Sequence, residues 1–162
     1  MARAGHTTAT YRSAEAVTDA LLTASRLLMA ISARAIAGVD ESITIPQFRT
    51  LVILANDGPV NLATLAGLLG VAPSTTGRMV DRLVATGLIE RTPHPTSRRE
   101  LIAGLTSRGH DVVAQVIAQR RNEIARIVET MPAAERPRLA HSLVAFAEAG
   151  GEATASIDGD AS

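Results

Sequence analysis

Residues 61–85 read NLATLAGLLGVAPSTTGRMVDRLVA, two short apolar-periodic segments separated by Gly70-Val71-Ala72. No other stretch narrows the choice of fold as much. Asn61 can cap the first segment, Gly70 can end it, and Pro73 can open the second, where a missing N–H costs little. Two short helices joined by a tight turn with Gly form a helix-turn-helix pattern. Many helical hairpins share that pattern, so the flanking residues must decide. Gly87 stops the second helix, and the runs at 88–92 and 101–105 read as two short strands.

The loop between those strands, 93–100, reads PHPTSRRE and places Arg98 and Arg99 at the expected tip. A solvated turn gains nothing from adjacent like charges, whereas a groove lined with phosphates attracts arginine. On the preceding helix, Thr76, Val80 and Leu83 share one face. Pro73, Ser74, Thr75, Gly77, Arg78 and Arg82 are the candidate DNA contacts on and around the other. Arg can grip guanine O6 and N7 together, and short hydroxyl side chains fit close to backbone or base edges. Residues 61–110 hold six arginines (78, 82, 91, 98, 99, 108) against three acids (81, 90, 100), a local +3. The whole chain is neutral, so the remainder carries −3. A basic middle between acidic ends fits a nucleic-acid face.

The rest of the chain reads as helices. From Ser13, a plausible N-cap, to about Ala37, apolar residues fall at Val17, Leu21, Ala24, Leu28, Ile31 and Ala35, a stripe down one face, with Gly38 as the stop. Thr44 and Gln47 stand at capping-box spacing, with Ile43 and Phe48 able to staple across them and Pro46 in the first turn. That helix ends near Ala55, before the NDGP turn. Thr106 caps a long helix with Val113, Ile117, Ile124, Ile127 and Met131 on one side, and a last helix over about 134–149 carries Leu139, Leu143 and Phe146. Residues 1–12 and 150–162 are small, polar and unpatterned, and disorder is expected in both.

Composition excludes several classes. The absence of cysteine removes disulfides, thiolate metal sites and thiol redox control. The four histidines (6, 94, 110, 141) are scattered, with His110-Asp111 the one tight pair, so no metal site and no cofactor are expected. No nucleophile elbow, phosphate loop or paired-carboxylate spacing points to an enzyme. The amino terminus lacks the apolar region of a signal peptide, and no run approaches the roughly 20 apolar residues that span a bilayer. A cytoplasmic protein without a membrane partner is expected.

With these residues in view, the chain resembles the MarR-type winged helix-turn-helix transcriptional regulators over roughly residues 14–148. The resemblance rests on IT-x-x-Q-F (43–48), NLATLAGLLGV (61–71), STTGRMVDRLVATGLIER (74–91) and SRRELIAGLTSRG (97–109). Where the family's wing reads Asp-x-Arg, this chain has Ser97 and Arg99. A serine hydroxyl can organise a turn but does not pair electrostatically with Arg99.

The resemblance implies a mostly α fold with a small β-wing. A winged domain (43–109) would be flanked by a helical dimerisation region (13–37 with 110–149), in the order four helices, two strands, two helices. It also implies a homodimer held by Val17, Leu21, Leu28, Leu139, Leu143 and Phe146. The recognition helix 73–85 would lie in the major groove of a pseudo-palindromic double-stranded DNA operator, and the 93–100 wing at the minor groove or backbone. A small aromatic or phenolic effector and repression of nearby genes belong to the same picture. The alternative is a winged helix that binds protein, for which an apolar or acidic recognition face would be the sign.

Overall fold

The computed structural model describes residues 4–94 and 96–151, with the backbone alone for 4–12 and 97–100. The elements are α1 (Ala4–Val39), α2 (Ile45–Asp57), β1 (Val60–Asn61), α3 (Leu62–Leu69), α4 (Pro73–Ala85), β2 (Ile89–His94), β3 (Ser97–Leu105), α5 (Ser107–Thr130) and α6 (Arg136–Ala149). They form two compact units, one up to Arg121 and one from Asn122, so α5 belongs to both.

Local chemistry accounts for most boundaries. At α2 both halves of the capping box form: the Thr44 side chain accepts from the Gln47 N–H, and Gln47 Oε1 accepts from the Thr44 N–H at 2.8 Å. Asn61 Oδ1 accepts the Thr64 N–H at 2.8 Å to start α3, and Gly70 ends that helix at φ 69°, a left-handed conformation that glycine adopts without a Cβ penalty. The Thr106 hydroxyl accepts the Gly109 N–H at 3.0 Å to start α5, and donates to the Gly87 carbonyl at 2.7 Å.

The first unit closes on an aliphatic core. Leu51, Leu65, Leu88 and Val116 are fully buried, joined by Leu54, Val80, Leu83 and Ile89, and Phe48 is the aromatic member. From α1 this core takes Ile31, Ala35 and Ile36; from α5 it takes Val112, Val113 and Val116. In the second unit, α6 buries no residue.

Four expectations change. Helix α1 starts at Ala4, ahead of the proposed Ser13 cap, and runs through residues expected to be disordered; the segment contains no proline to stop it. Residues 1–3 and 152–162, also expected to be disordered, lie outside the described residues. The sheet has three strands in the order β1-β3-β2, with Val60 opposite Ala103 and Asn61 opposite Ile102. A two-residue strand is too short to show a period. Both wing strands also run beyond the expected 88–92 and 101–105, so the turn shrinks and Arg98 and Arg99 occupy consecutive positions of β3 rather than a loop tip. Last, residues Ser13–Val39 are long and apolar enough, by length and composition, to cross a bilayer. A search for uninterrupted apolar runs misses this, because Ser, Thr and Arg break the run while Leu, Ile, Val and Ala keep the average high.

Candidate nucleic-acid interface

Helix α4 is amphipathic in the way its sequence implied. Thr76 and Val80 are fully buried and Leu83 nearly so, which fixes the helix against the core. Pro73, Ser74, Thr75, Arg78 and Arg82 are exposed, and Gly77 is half-buried. Gly77 lies toward α3: a Cβ there would stand 3.7 Å from Leu62 Cδ2. The outer face therefore presents two hydroxyl groups and two guanidinium groups along successive turns.

The N-terminus of α4 differs from those of α2 and α3. Its N-cap is Ala72, which offers no side-chain acceptor, and the Ala72 carbonyl takes the N–H groups of Thr75 and Thr76, each at 3.0 Å. The first turn thus keeps the positive end of its helix dipole uncapped by any side chain, beside Ser74 and Thr75. Such an end attracts phosphate.

Three contacts hold this helix against its surroundings, and none had a signature in residue spacing. Arg91 on β2 donates to Asp81 on α4 at 2.6 Å, tying the wing to the outer face of the helix. At the C-cap of the helix, Arg108 Nη1 donates to the Thr86 carbonyl at 2.9 Å, and its Nη2 lies 3.8 Å from Asp40 Oδ2. Asp40, in the segment joining α1 to α2, accepts from the Ser42 hydroxyl at 2.6 Å and the Ser42 N–H at 2.9 Å. These hydrogen bonds, the hydroxyl's first, hold its carboxyl below the usual aspartate value against a partial desolvation that opposes them, and Arg108 adds a smaller pull in the same direction. Thirdly, the buried Thr50 hydroxyl of α2 lies 3.0 Å from Met79 Sδ on α4.

Two clefts flank the helix. One, of about 220 Å³, lies between α2 and α4 and is lined by Thr44, Pro46, Gln47, Thr75, Arg78, Met79 and Arg82. The other, of about 340 Å³, is bounded by Asn61, Leu62, Ala63, Val80, Arg91 and the β3 residues Leu101, Ile102 and Ala103.

In the wing, β2 pairs with β3 from Ile89 opposite Leu105 to Pro93 opposite Leu101. The register then shifts so that His94 faces Ser97. Arg98, Arg99 and Glu100 fall in the β3 stretch between those two registers. The side chains of Arg98 and Arg99, both expected DNA contacts, lie outside the described residues. His94 Nδ1 accepts the Thr96 N–H at 3.2 Å in the turn. Among the described residues, no three His, Asp or Glu side chains gather as metal ligands would.

The expected dimerisation residues are brought to the surface. Val17, Leu28, Leu139, Leu143 and Phe146 are exposed, Phe146 at 58%, and Leu21 is half-buried.

Comparison with known proteins places this geometry. The MarR family model matches residues 43–101. The crystal structure of RV1404 from Mycobacterium tuberculosis is 71% identical and superposes with a TM-score of 0.81, covering 88% of this chain and 97% of that one. YsmB of Bacillus subtilis, an uncharacterized HTH-type transcriptional regulator, is 32% identical over 89 residues, 55% of this chain and 61% of its own. The HTH-type transcriptional repressor NicR of Pseudomonas putida is 31% identical over 104 residues, 64% of this chain and 66% of its own. The matches thus span less than two thirds of the length of either curated relative.

Proposed function

Because the chain belongs to the MarR family, we propose that it is a DNA-binding transcriptional regulator, acting as a homodimeric repressor of nearby genes that a small aromatic or phenolic effector releases from its operator. One observation carries the DNA half: an exposed Ser74–Thr75–Arg78–Arg82 face on a helix whose positive end has no side-chain cap. In this reading α4 enters the major groove, with Arg78 and Arg82 reading bases or gripping phosphate. Arg98 and Arg99 bring the wing to the minor groove or backbone, and the Asp81–Arg91 pair sets the wing's angle.

The dimer half rests on surface chemistry. Helix α6 buries nothing, and the amino-terminal part of α1 exposes Val17, Leu22, Leu27 and Leu28. Apolar patches of that kind mark an interface. A second copy is the occupant that fits, since the carboxy-terminal turns of the same helix are already in the core through Ile31, Ala35 and Ile36. A closed two-fold dimer reads a pseudo-palindrome, with half-sites roughly 34–36 Å apart along the duplex. The protein acts in the cytoplasm, where the DNA is. An effector works here by shifting the spacing of the two recognition helices.

A gel-shift titration tests the reading, using duplex from directly upstream of the protein's own gene against unrelated duplex at one salt concentration. A selective shift, abolished by a phenolic acid, is the expected outcome. Failure to bind either duplex at low salt would move the function to the protein-binding alternative. Light scattering should give twice the 16.9 kDa chain mass, and a monomer would overturn the dimer.

A further inference from the structure

The chain has four methionines and no cysteine, so its oxidisable sulfur is all thioether. Met79 holds an unusual position among them. It lies on α4 between Arg78 and Arg82, packs partly against the hydrophobic core, and lines the cleft between α2 and α4. Its sulfur is 3.0 Å from Thr50 Oγ1, and that hydroxyl also reaches the Pro46 carbonyl at 3.0 Å. Thr50 is fully buried. One sulfur lone pair therefore faces a buried donor that α2 holds in place, and a thioether keeps a second lone pair for chemistry.

We propose that Met79 is an oxidation site, and that its conversion to the sulfoxide by hypochlorous acid weakens DNA binding. The second half rests on the DNA-binding reading above. In the step, a sulfur lone pair attacks the oxygen of hypochlorous acid and an S–O bond forms. The O–Cl bond breaks, chloride leaves with the bonding pair, and the hydroxyl proton passes to water. Sulfur loses two electrons and chlorine gains them.

The product is polar and chiral where the core accepted an apolar chain. Its oxygen is a far stronger acceptor than the sulfur. It competes with the Pro46 carbonyl for the Thr50 hydroxyl, and it offers a partner to the guanidinium groups of Arg78 and Arg82. Either course disturbs the seating of α4 on α2 or withdraws arginines from DNA. Met29, 61% exposed on α1, has no such link to the recognition helix.

The test uses the full chain with M29L/M131L, which keeps Met79, against M79L. Both are treated with graded hypochlorous acid and followed by peptide mass mapping, thermal melting and gel shift. In the Met79-bearing protein, one oxygen should appear on the Met79 peptide, the melting temperature should fall, and affinity should drop on the order of tenfold relative to the untreated sample. Methionine sulfoxide reductase should reverse all three. M79L should keep its own untreated melting temperature and affinity. An unmodified Met79 peptide at doses that oxidise Met29 in the wild type would overturn the site. Equal losses in M79L would overturn the switch. If untreated protein failed to bind DNA, the DNA reading would fall, while the mass and melting results would still decide whether Met79 is the oxidation site.

Discussion

Replacing Gly77 or Gly109 with alanine adds one methyl group to a helix in each case, yet the two changes should move stability in opposite directions. In a helix interior the exchange is worth about 0.5–1 kcal/mol in alanine's favour. At Gly77 the new Cβ would stand 3.7 Å from Leu62 Cδ2, an ordinary contact, so the gain should be realised nearly in full. At Gly109 the new Cβ would lie 2.2 Å from the Leu88 carbonyl oxygen and 3.2 Å from both Leu88 C and Leu105 Cδ2. Restoring van der Waals distance requires the carbonyl to retreat by about 1 Å. It is poorly placed to do so, because Leu88 is fully buried and its carbonyl accepts the Thr106 N–H at 3.2 Å. Overpacking of this kind costs about 1–3 kcal/mol, and a lost backbone hydrogen bond adds about 1 kcal/mol.

Gly109 also sits in the first turn of α5, where the propensity gain is smaller. Gly109→Ala should therefore destabilise by about 2–4 kcal/mol, a fall in melting temperature of roughly 5–15 °C for a chain of this size. Gly77→Ala should raise it by roughly 1–4 °C. Circular dichroism melts at one protein concentration would read both, since dimerisation makes the transition concentration-dependent. A Gly109→Ala protein melting at or above wild type would refute the claim that α5 is packed on the Leu88 carbonyl.

Arg78→Ala should reduce sequence discrimination as well as affinity; an unchanged specific-to-nonspecific ratio in competition titrations would remove Arg78 from base reading. Arg99→Ala should weaken binding by about 1–3 kcal/mol at fixed salt if the wing enters a groove, and full affinity would show the wing to be idle. Thr106→Ala removes the cap on the Gly109 N–H and the bond to the Gly87 carbonyl, and should cost about 1–2 kcal/mol in chemical denaturation. Asp40 has its pKa lowered in the folded state, so its stabilising contribution is present above the unfolded value of 3.8 and is lost as pH falls through the folded one. Wild type should therefore exceed Asp40→Asn in stability near neutrality and lose that advantage in acid, whereas an advantage that persisted unchanged at low pH would refute the role given to the carboxylate.

Helix ends were legible because their chemistry is local. The Thr44–Gln47 box, the Asn61 cap, the Gly70 stop and the proline opening α4 each act within a few residues, and α4 occupies the expected 73–85. Within α4, Thr76, Val80 and Leu83 face the core as their spacing requires. The wing was less legible. Pro93 reads as a strand breaker, yet it sits in β2 opposite Leu101. Helix-turn-helix and wing share a three-stranded sheet in which β2 is an edge, and an edge strand tolerates a missing N–H on its open side. The Asp81–Arg91 and Arg108–Asp40 pairs were invisible for a different reason: they join elements whose approach depends on the finished fold.

The apolar stripe of α1 shows where periodicity stops being informative. Val17, Leu28, Ile31 and Ala35 belong to one repeating pattern, but Ile31 and Ala35 are buried in their own chain while Val17 and Leu28 are exposed at 57% and 42%. A period of 3.6 reports that a face is apolar and says nothing about which molecule covers it. The same holds for Leu139, Leu143 and Phe146 on α6, a helix that buries nothing by itself. The length of α1 and its average apolarity would equally suit a bilayer. What separates the two is the carboxy-terminal end of the helix. Ile31 is buried there, and Ala35 and Ile36 join the core that also seats Val80 and Leu83 of the recognition helix. An element committed at one end to the core beneath α4 can pass a change at its other end to that helix through packed side chains. On the dimer reading, the exposed half of the stripe is therefore where a second copy would set the spacing of the two DNA-reading helices.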